Sequence, residues 1–190
     1  MPRLHIVTDS LDTVRGALGH GPVAIQVRVK TSDRLAYELT MAALPLCRSA
    51  GAMLLVDDRV GVALAAGADG VHVGAEDLPV AVVRKLLGPA AVVGATCRTP
   101  AVARAAVADG ASYIGAGPAY ATSTKDGLPP PLGPARLAVI AAAVPDTPVI
   151  AIGGITPARA ALIQTYGVAA VSAVAADPAG ATALFLKVLS

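Results

Sequence analysis

The sequence predicts an α/β protein that folds as a single (β/α)8 TIM barrel over residues 1–190. Short runs rich in Val, Ile and Leu alternate with alanine-rich helical runs along the chain, and there are eight such pairs. This alternation indicates parallel strands joined by right-handed crossovers, and eight such units close into a barrel. An open doubly wound sheet is the main alternative. It requires a glycine-rich turn after the first strand, where this chain has Thr8-Asp9-Ser10.

The predicted strands are short, and each is bounded by turn-forming or polar residues. They cover residues 4–8, 23–29, 52–56, 69–73, 91–94, 112–116, 148–152 and 168–174. Helices are predicted at 13–18, 33–49, 59–66, 78–87, 101–109 and 134–143, from residue 157 onward, and at 177–189. Asp33 is the expected N-cap of the second helix and Gly51 its stop. Pro100 opens the fifth helix in the first turn, where proline is tolerated.

The composition limits the class of protein. Hydrophobic residues make up 55% of the 190 residues, which suits one well-buried domain, and an aromatic share of 3% leaves Ala, Val, Leu and Ile to form the core. A net charge of +2 without a basic run argues against nucleic acid, and no apolar run is long enough to cross a bilayer. Cys47 and Cys97 lack metal-ligand spacing, and strand-like residues begin at Leu4 with no leader before them. We therefore expect a protein of the reduced cytoplasm.

Three polar residues at the end of the second predicted strand form the first candidate site. Gln26, Arg28 and Lys30 alternate with valines, so at a period of two they share one face of the strand. If that face is the barrel interior, the charges require a bound anion or an acidic neighbour. The alternative is that these side chains face the helix layer and extend outward to water. Because helices cover the outer face, the pattern favours an anion site.

Acidic residues follow the third and fourth predicted strands. Asp57 and Asp58 end the third strand, and Asp77 follows the fourth shortly after Gly74. Since neighbouring parallel strands end at the same edge, we expect Asp58 and Asp77 to approach one another. Two carboxylates suit Mg²⁺, which commonly takes one or two protein carboxylates together with water and substrate phosphate. Helix N-capping is the alternative, because both aspartates precede helical runs.

Two further strand exits have the composition of an anion site. Thr122, Thr124 and Lys125 follow the sixth strand and supply hydroxyls and an ammonium group, and a solvated polar loop is the alternative. Gly153 and Gly154 follow the seventh strand, where loops of this fold commonly bind phosphate. A tight turn would also explain the paired glycines.

The remaining reactive side chains are predicted to be structural. Cys97 has no histidine close in sequence to activate it, so an inert thiol is expected. His72 lies within an otherwise apolar strand, and the same reasoning applies to His5. The chain therefore offers no convincing nucleophile.

Taken together, these strand ends resemble the thiamine phosphate synthase family across almost the whole chain. The matching pieces are Gln26-Val-Arg28-Val-Lys30, Val56-Asp-Asp58-Arg59-Val, Asp69-Gly-Val-His-Val-Gly74-Ala-Glu-Asp77-Leu-Pro, Tyr113-Ile-Gly-Ala-Gly-Pro118, Thr122-Ser-Thr124-Lys125 and Ala151-Ile-Gly-Gly154-Ile. Their order and spacing carry the resemblance, since no single piece is specific. Enzymes of that family join a hydroxymethylpyrimidine diphosphate to a hydroxyethylthiazole phosphate and release diphosphate. Their pathway passes through a pyrimidine-methyl cation, so the resemblance implies a Mg²⁺-dependent transferase that needs no protein nucleophile.

The resemblance also implies a role for each matching position. Arg28, Lys30 and Lys125 would be the catalytic cations on the diphosphate, and Asp58 and Asp77 would bind Mg²⁺. The substrate-binding set would also include Gln26, Asp57, Thr96, Thr122, Thr124, Gly153, Gly154 and the backbone of Val174 and Ala175. The implied partners are phosphorylated small molecules, with neither nucleic acid nor membrane, and a homo-oligomer is compatible with the pattern.

Four positions depart from the family's pattern. Asp57 stands where the family usually has asparagine, which adds a negative charge near the expected diphosphate. Ala75 replaces a glutamine, Thr96 replaces a serine, and Ala175 replaces a serine late in the eighth strand. These departures bear on synthase activity more than on the fold.

Two other functions are compatible with the same barrel. Thiazole tautomerases use a histidine after the fifth strand, where this chain has Arg98, and a guanidinium cannot act as a base at neutral pH. The second is a non-catalytic barrel that binds a phosphate ligand for regulation and has lost its chemistry at Asp57 and Ala75. Magnesium separates the three functions: the synthase requires it, the isomerase does not, and the regulatory barrel binds without turnover.

Overall fold

Eight parallel strands close into a barrel in this computed structural model, which describes residues 1–122 and 127–190. Within those ranges the strands are β1 (Leu4–Thr8), β2 (Val23–Val27), β3 (Met53–Asp57), β4 (Gly70–Val73), β5 (Val92–Thr96), β6 (Tyr113–Ala116), β7 (Val149–Ile152) and β8 (Gly167–Ala170). Each strand pairs with the next one in the chain, and β8 returns to β1 with Val168 beside Leu4. The predicted TIM barrel is confirmed.

Helices follow the strands and cover the outside of the barrel. In the described part of the chain they are α1 (Leu11–Ala17), α2 (Asp33–Ala50), α3 (Val60–Ala66), α4 (Val80–Leu87), α5 (Pro100–Ala108), α6 (Gly133–Ala142), α7 (Pro157–Ala160) and α8 (Pro178–Leu189), with a 3-10 helix (Ser172–Val174) before α8. The N-cap of α2 is Ser32, whose hydroxyl accepts the Leu35 N–H, and not Asp33 as predicted. None of the described helices is long and apolar enough to cross a membrane.

The core positions the strand ends on which the candidate residues stand. A large apolar cluster lies between the strands and the helices and includes Leu4, Ile25 and Phe185, each of which is fully buried. Burial of each such side chain contributes about 1.5–3 kcal/mol. A smaller cluster inside the barrel contains Tyr113, and a Cβ on the neighbouring Gly94 would overlap the tyrosine ring. Glycine at that position therefore makes room for the largest side chain of the barrel interior.

Two strands end earlier than the sequence predicted. β2 ends at Val27 because its neighbour β1 ends at Thr8, and the N–H of Arg28 makes the last bond of that ladder, 2.8 Å to the Thr8 carbonyl. The predicted extension to residue 29 was wrong. β8 ends at Ala170, because Val171 leaves extended geometry and the chain turns into the 3-10 helix. The prediction of a strand up to residue 174 was therefore also wrong.

Candidate active site

A cavity opens at the carboxyl ends of the strands, and polar side chains of β2 to β5 face into it. The register places Asp57 beside His72 and Thr96 beside Gly115, so polar residues of successive strands form a ring. The polar and charged side chains on the cavity wall, among the described residues, are His5, Gln26, Arg28, Lys30, Asp57, Asp58, His72, Thr96, Tyr113, Thr122 and Ser172. Glycines and apolar side chains, mainly of β6, β7, β8 and the loops after them, complete the wall together with Val7 of β1.

The polar triplet at the end of β2, Gln26, Arg28 and Lys30, faces this cavity and meets the Asp57 carboxylate. Gln26 donates from Nε2 to Asp57 Oδ1 at 2.6 Å. Arg28 Nε lies 3.2 Å from Asp57 Oδ2, and Lys30 Nζ lies 3.5 Å from the same oxygen. Asp57 is buried, so this carboxylate acts as the acidic neighbour that inward-facing cations require. The alternative that the triplet faces the helix layer is excluded.

Asp58 and Asp77 come together beside Gly74, as the strand order predicted. The Lys30 ammonium donates to Asp58 Oδ2, and the Gly74 N–H donates to Asp77 Oδ2 at 2.7 Å. Asp58 has a φ of +63°, a left-handed conformation that aspartate tolerates better than most residues, and its N–H bonds the His72 carbonyl at 2.7 Å. This backbone geometry turns the Asp58 carboxylate toward the end of β4.

The two carboxylates influence each other's ionisation. Burial acts to raise the pKa of Asp58, but its hydrogen bond to Lys30 and the lysine's charge hold that pKa below the usual value. Burial raises the pKa of Asp77, and the adjoining Asp58 carboxylate raises it further against the opposing bond from Gly74. A cation between the two would relieve this repulsion. Over the described residues, no group of three or more His, Cys, Asp or Glu side chains is placed so that it could hold a metal ion. Mg²⁺ commonly takes one or two protein carboxylates together with water and phosphate oxygens.

Helix capping does not account for these aspartates. The N-cap of α3 is Arg59 and that of α4 is Pro79, and neither helix has a side-chain capping bond. The carboxylates of Asp58 and Asp77 are bonded to a lysine ammonium and a loop N–H instead. The capping alternative was therefore wrong for both residues.

His72 lies on the cavity wall, a position that the sequence interpretation missed. One ring nitrogen lies 2.9 Å from the Tyr113 hydroxyl, and the other lies 2.9 Å from the Thr96 hydroxyl. Burial lowers the pKa of His72 despite the opposing charges of nearby aspartates, so the imidazole is neutral near pH 7. No local signal in the sequence marks this position, because the side of the sheet that His72 faces follows from the strand register.

His5 forms part of the cavity floor. Burial lowers its pKa to about 3, with a further contribution from the charge of His72 and against an opposing effect of the Pro2 backbone. The ring packs edge-on against Tyr113 with 5.1 Å between the ring centroids. Its structural role was predicted, but its place on the cavity floor was not.

The glycine pair after β7 brings the β6 exit close to the cavity. Gly153 has a φ of +100° and Gly154 a φ of +64°, which other residues rarely adopt. A Cβ on Gly154 would lie 2.6 Å from the Ala121 carbonyl oxygen, so the two loops touch through their backbones. Thr122 lies on the cavity wall beside this contact. The predicted residues Thr124 and Lys125 lie outside the described residues.

At the end of β8, the residues facing the cavity are Val171 and Ser172. Val174 is fully buried, and its N–H bonds the Val171 carbonyl at 3.3 Å. The N–H of Ala175 bonds the Ser172 carbonyl at 3.3 Å. The 3-10 turn therefore brings Ser172 to the cavity wall. The N–H groups of Val174 and Ala175, which we predicted to bind phosphate, form hydrogen bonds within this turn.

The cysteines agree with the expectation of inert thiols. Cys47 and Cys97 are both free and buried. Burial raises the pKa of each to about 11, so both thiols are protonated near neutral pH.

Comparison with known proteins places the chain in a family. The family described as thiamine monophosphate synthase matches residues 2–176. A protein named thiamine-phosphate synthase from Salinispora arenicola is 51% identical, with 99% of this chain and 97% of that protein covered. Another of that name from Laribacter hongkongensis is 47% identical over 90% of this chain and 83% of its own length. The solved structure of thiamine phosphate pyrophosphorylase from Pyrococcus furiosus superposes with a TM-score of 0.88 at 36% identity, covering 98% of this chain and 95% of that one. The chain belongs to the thiamine monophosphate synthase family.

Proposed function

We propose that this protein is a thiamine-phosphate synthase, a transferase that moves the hydroxymethylpyrimidine group from its diphosphate to hydroxyethylthiazole phosphate. The observation that carries the proposal is the meeting of Arg28 and Lys30 with Asp58 and Asp77 at one end of the barrel. Cations for a diphosphate and carboxylates for a divalent ion thus lie side by side, in a chain whose relatives carry that name.

The proposed reaction breaks one bond and forms one bond. The bond between the pyrimidine methylene carbon and the diphosphate oxygen breaks, and its electron pair leaves with the diphosphate. The lone pair of the thiazole nitrogen then forms the new carbon–nitrogen bond. No proton is transferred, so the chain needs neither a general base nor a nucleophile, and the protonated, buried thiols are consistent with that.

The residues of the chain act by charge and position. Arg28, Lys30 and Lys125 stabilise the negative charge that accumulates on the departing diphosphate. Asp58 and Asp77 would hold Mg²⁺, which would supply Lewis-acid stabilisation of the departing diphosphate. Gln26 is the remaining diphosphate contact. The Asp57 carboxylate holds Gln26 and also the two cations that follow β2.

The second substrate is assigned to the opposite wall. Thr122 and Thr124, with the backbone of Gly153 and Gly154, hold the thiazole phosphate, and Ser172 joins them in place of the predicted Val174 and Ala175 backbone. Thr96 faces the reacting centre and is held by His72 at 2.9 Å. The two substrates thus bind on opposite walls of the barrel mouth, so that the thiazole nitrogen can approach the pyrimidine methylene group.

The isomerase alternative is disfavoured by Arg98. This residue stands where the tautomerase has its histidine, and its guanidinium donates to the carbonyls of Gly117 and Pro130. An always-protonated donor engaged in this way cannot abstract a proton from a substrate.

The test is to incubate the purified protein with both substrates, with Mg²⁺ and with EDTA, and to measure thiamine phosphate. The proposal predicts product with Mg²⁺ and none with EDTA. Conversion of a thiazole carboxylate phosphate to its isomer in EDTA would identify a tautomerase instead. Binding of both substrates without any product would identify the regulatory barrel.

We also propose that the protein works as a single domain over residues 1–190 in the cytoplasm, as its two buried free thiols suggest.

A further inference from the structure

In the connection from β6 to α6, the structure describes residues 117–122 and 127–132, and these two stretches meet at a closed neck. The two ends of the connection run side by side, with the Leu132 N–H 2.8 Å from the Pro118 carbonyl oxygen and the Gly133 N–H 3.1 Å from that of Ala119. Thr122 and Leu128 lie beyond this neck, and both line the cavity. The placement of the neck therefore sets where the cavity-lining part of the loop stands.

Arg98 holds this neck from the side of β5. Its Nη1 donates to the Gly117 carbonyl, and its Nη2 donates to the Pro130 carbonyl at 2.8 Å. The two carbonyls belong to opposite ends of the loop, so one guanidinium joins both. The planar fork of arginine suits this, because its donors keep a fixed geometry that lysine cannot reproduce.

The other side of the same loop is tied to β7. The Tyr120 N–H bonds the Gly153 carbonyl at 3.0 Å, and the Arg159 guanidinium lies over the Tyr120 ring at 4.7 Å. Arg98, two residues after Thr96, thus ties the described ends of this connection to the β5 wall. Arg98 is half-buried and is not one of the residues that line the cavity.

We infer that Arg98 is a positioning residue for the proposed transfer: it holds the described ends of the β6–α6 connection against the β5 wall, so that Thr122 and Leu128 meet the substrate. The inference rests on the proposed function. Displacement of binding groups by about 1 Å can lower turnover by about 100-fold, so a loosened neck has a measurable effect.

The test compares Arg98→Ala and Arg98→Lys with wild type and with Arg104→Ala, which removes an exposed arginine of α5. Steady-state kinetics would be measured with both substrates, alongside amide exchange at Leu132 and Gly133. We expect Arg98→Ala to raise the KM for the thiazole phosphate and to lower kcat/KM by about 10- to 100-fold. We expect at least about tenfold faster exchange at the two neck amides, with Arg98→Lys intermediate and Arg104→Ala like wild type.

The outcomes separate this inference from the proposed function. A merely structural arginine would lower the folded fraction, and therefore the apparent kcat, with KM unchanged, and that result would overturn the inference. Wild-type kinetics in Arg98→Ala, or unchanged exchange at both neck amides, would also overturn it. If Arg98→Ala does not fold, the same readouts in Arg98→Lys decide. Absence of thiamine phosphate with wild-type protein would refute the proposed function, and this inference would fall with it.

Discussion

Arg28 and Asp57 form an ion pair inside the mouth of the barrel, with 3.2 Å between Nε and Oδ2. Around this pair, the described part of the site has two cations, Arg28 and Lys30, and three carboxylates, Asp57, Asp58 and Asp77. A diphosphate that bound without a metal ion would therefore meet more carboxylates than cations. We therefore expect a diphosphate to bind together with a divalent cation, which reverses that balance.

Replacement of Asp57 by asparagine tests the effect of this extra carboxylate. Asp57→Asn keeps an oxygen that can accept from Gln26 and removes the charge that pairs with Arg28. We expect the KM for the pyrimidine diphosphate to fall about fivefold, since removing one repulsive charge from the pocket is worth on the order of 1 kcal/mol. Asp57→Leu, which also removes the acceptor, should show no such gain. An unchanged or higher KM in Asp57→Asn would count against the idea that this carboxylate weakens diphosphate binding.

Asp77→Ala tests the proposed magnesium site. We expect thiamine phosphate formation to fall by at least about 100-fold, because a bound metal contributes several kcal/mol to stabilising the leaving group. The melting temperature should stay close to that of wild type, since Asp77 is exposed. Asp12→Ala, which removes an exposed carboxylate of α1, provides the control. Normal magnesium-dependent turnover by Asp77→Ala would remove this residue from the metal role.

Lys125→Ala tests the cation expected from the loop after β6. Loss of one preorganised donor to a leaving group typically lowers kcat by about 100- to 1000-fold, and we expect a loss of that order. Stability should change by less than about 0.5 kcal/mol. Lys85→Ala, an exposed lysine of α4, should leave turnover unchanged. A large drop in melting temperature with full activity would show that Lys125 is structural.

His5 predicts a dependence of stability on pH. Burial lowers the pKa of His5 to about 3 in the folded protein, against 6.5 for the free side chain. Only the unfolded chain takes up this proton between those values, so the stabilisation is complete above pH 6.5 and is lost as the pH falls toward 3. Between pH 7.5 and pH 5 this one group should lower the free energy of unfolding by about 2 kcal/mol.

Chemical denaturation at the two pH values would measure that loss in wild type, in His5→Phe and in His20→Gln. The phenylalanine preserves the edge contact with Tyr113 and removes the titrating group. The free energy of unfolding of His5→Phe should therefore fall by about 2 kcal/mol less than that of wild type between the two pH values. His20 is exposed, so His20→Gln should show the same fall in the free energy of unfolding as wild type. Equal losses in His5→Phe and wild type would refute the assignment.

The barrel could be predicted because strand and helix alternation is a local property of the chain. The convergence of Asp58 and Asp77 was also predictable, since neighbouring parallel strands end together. The cation face was predicted correctly although Arg28 and Lys30 lie beyond β2, and the Arg28 N–H still bonds the last residue of β1. Local pattern and strand order were sufficient for these features.

Features that depend on register could not be predicted. His72 looks structural because Val71 and Val73 flank it, but those valines face the other side of the strand. Its partners come from β5 and β6, which lie far along the chain. The pairing of Asp57 with Gln26 likewise joins residues 31 positions apart. At the end of β8, the turn at Val171 brings Ser172 to the wall, and no turn-forming glycine or proline marks that turn.

The most direct measurement is calorimetric titration of inorganic diphosphate into wild type, Arg28→Met and Asp58→Asn, with Mg²⁺ and with EDTA. Asparagine suits position 58 because it also tolerates the φ of +63° there. If the cations after β2 and the carboxylates after β3 and β4 form one magnesium–diphosphate pocket, wild type binds only with Mg²⁺, and each variant binds at least about tenfold more weakly. Equal affinity with EDTA, or wild-type affinity in both variants, would contradict that pocket.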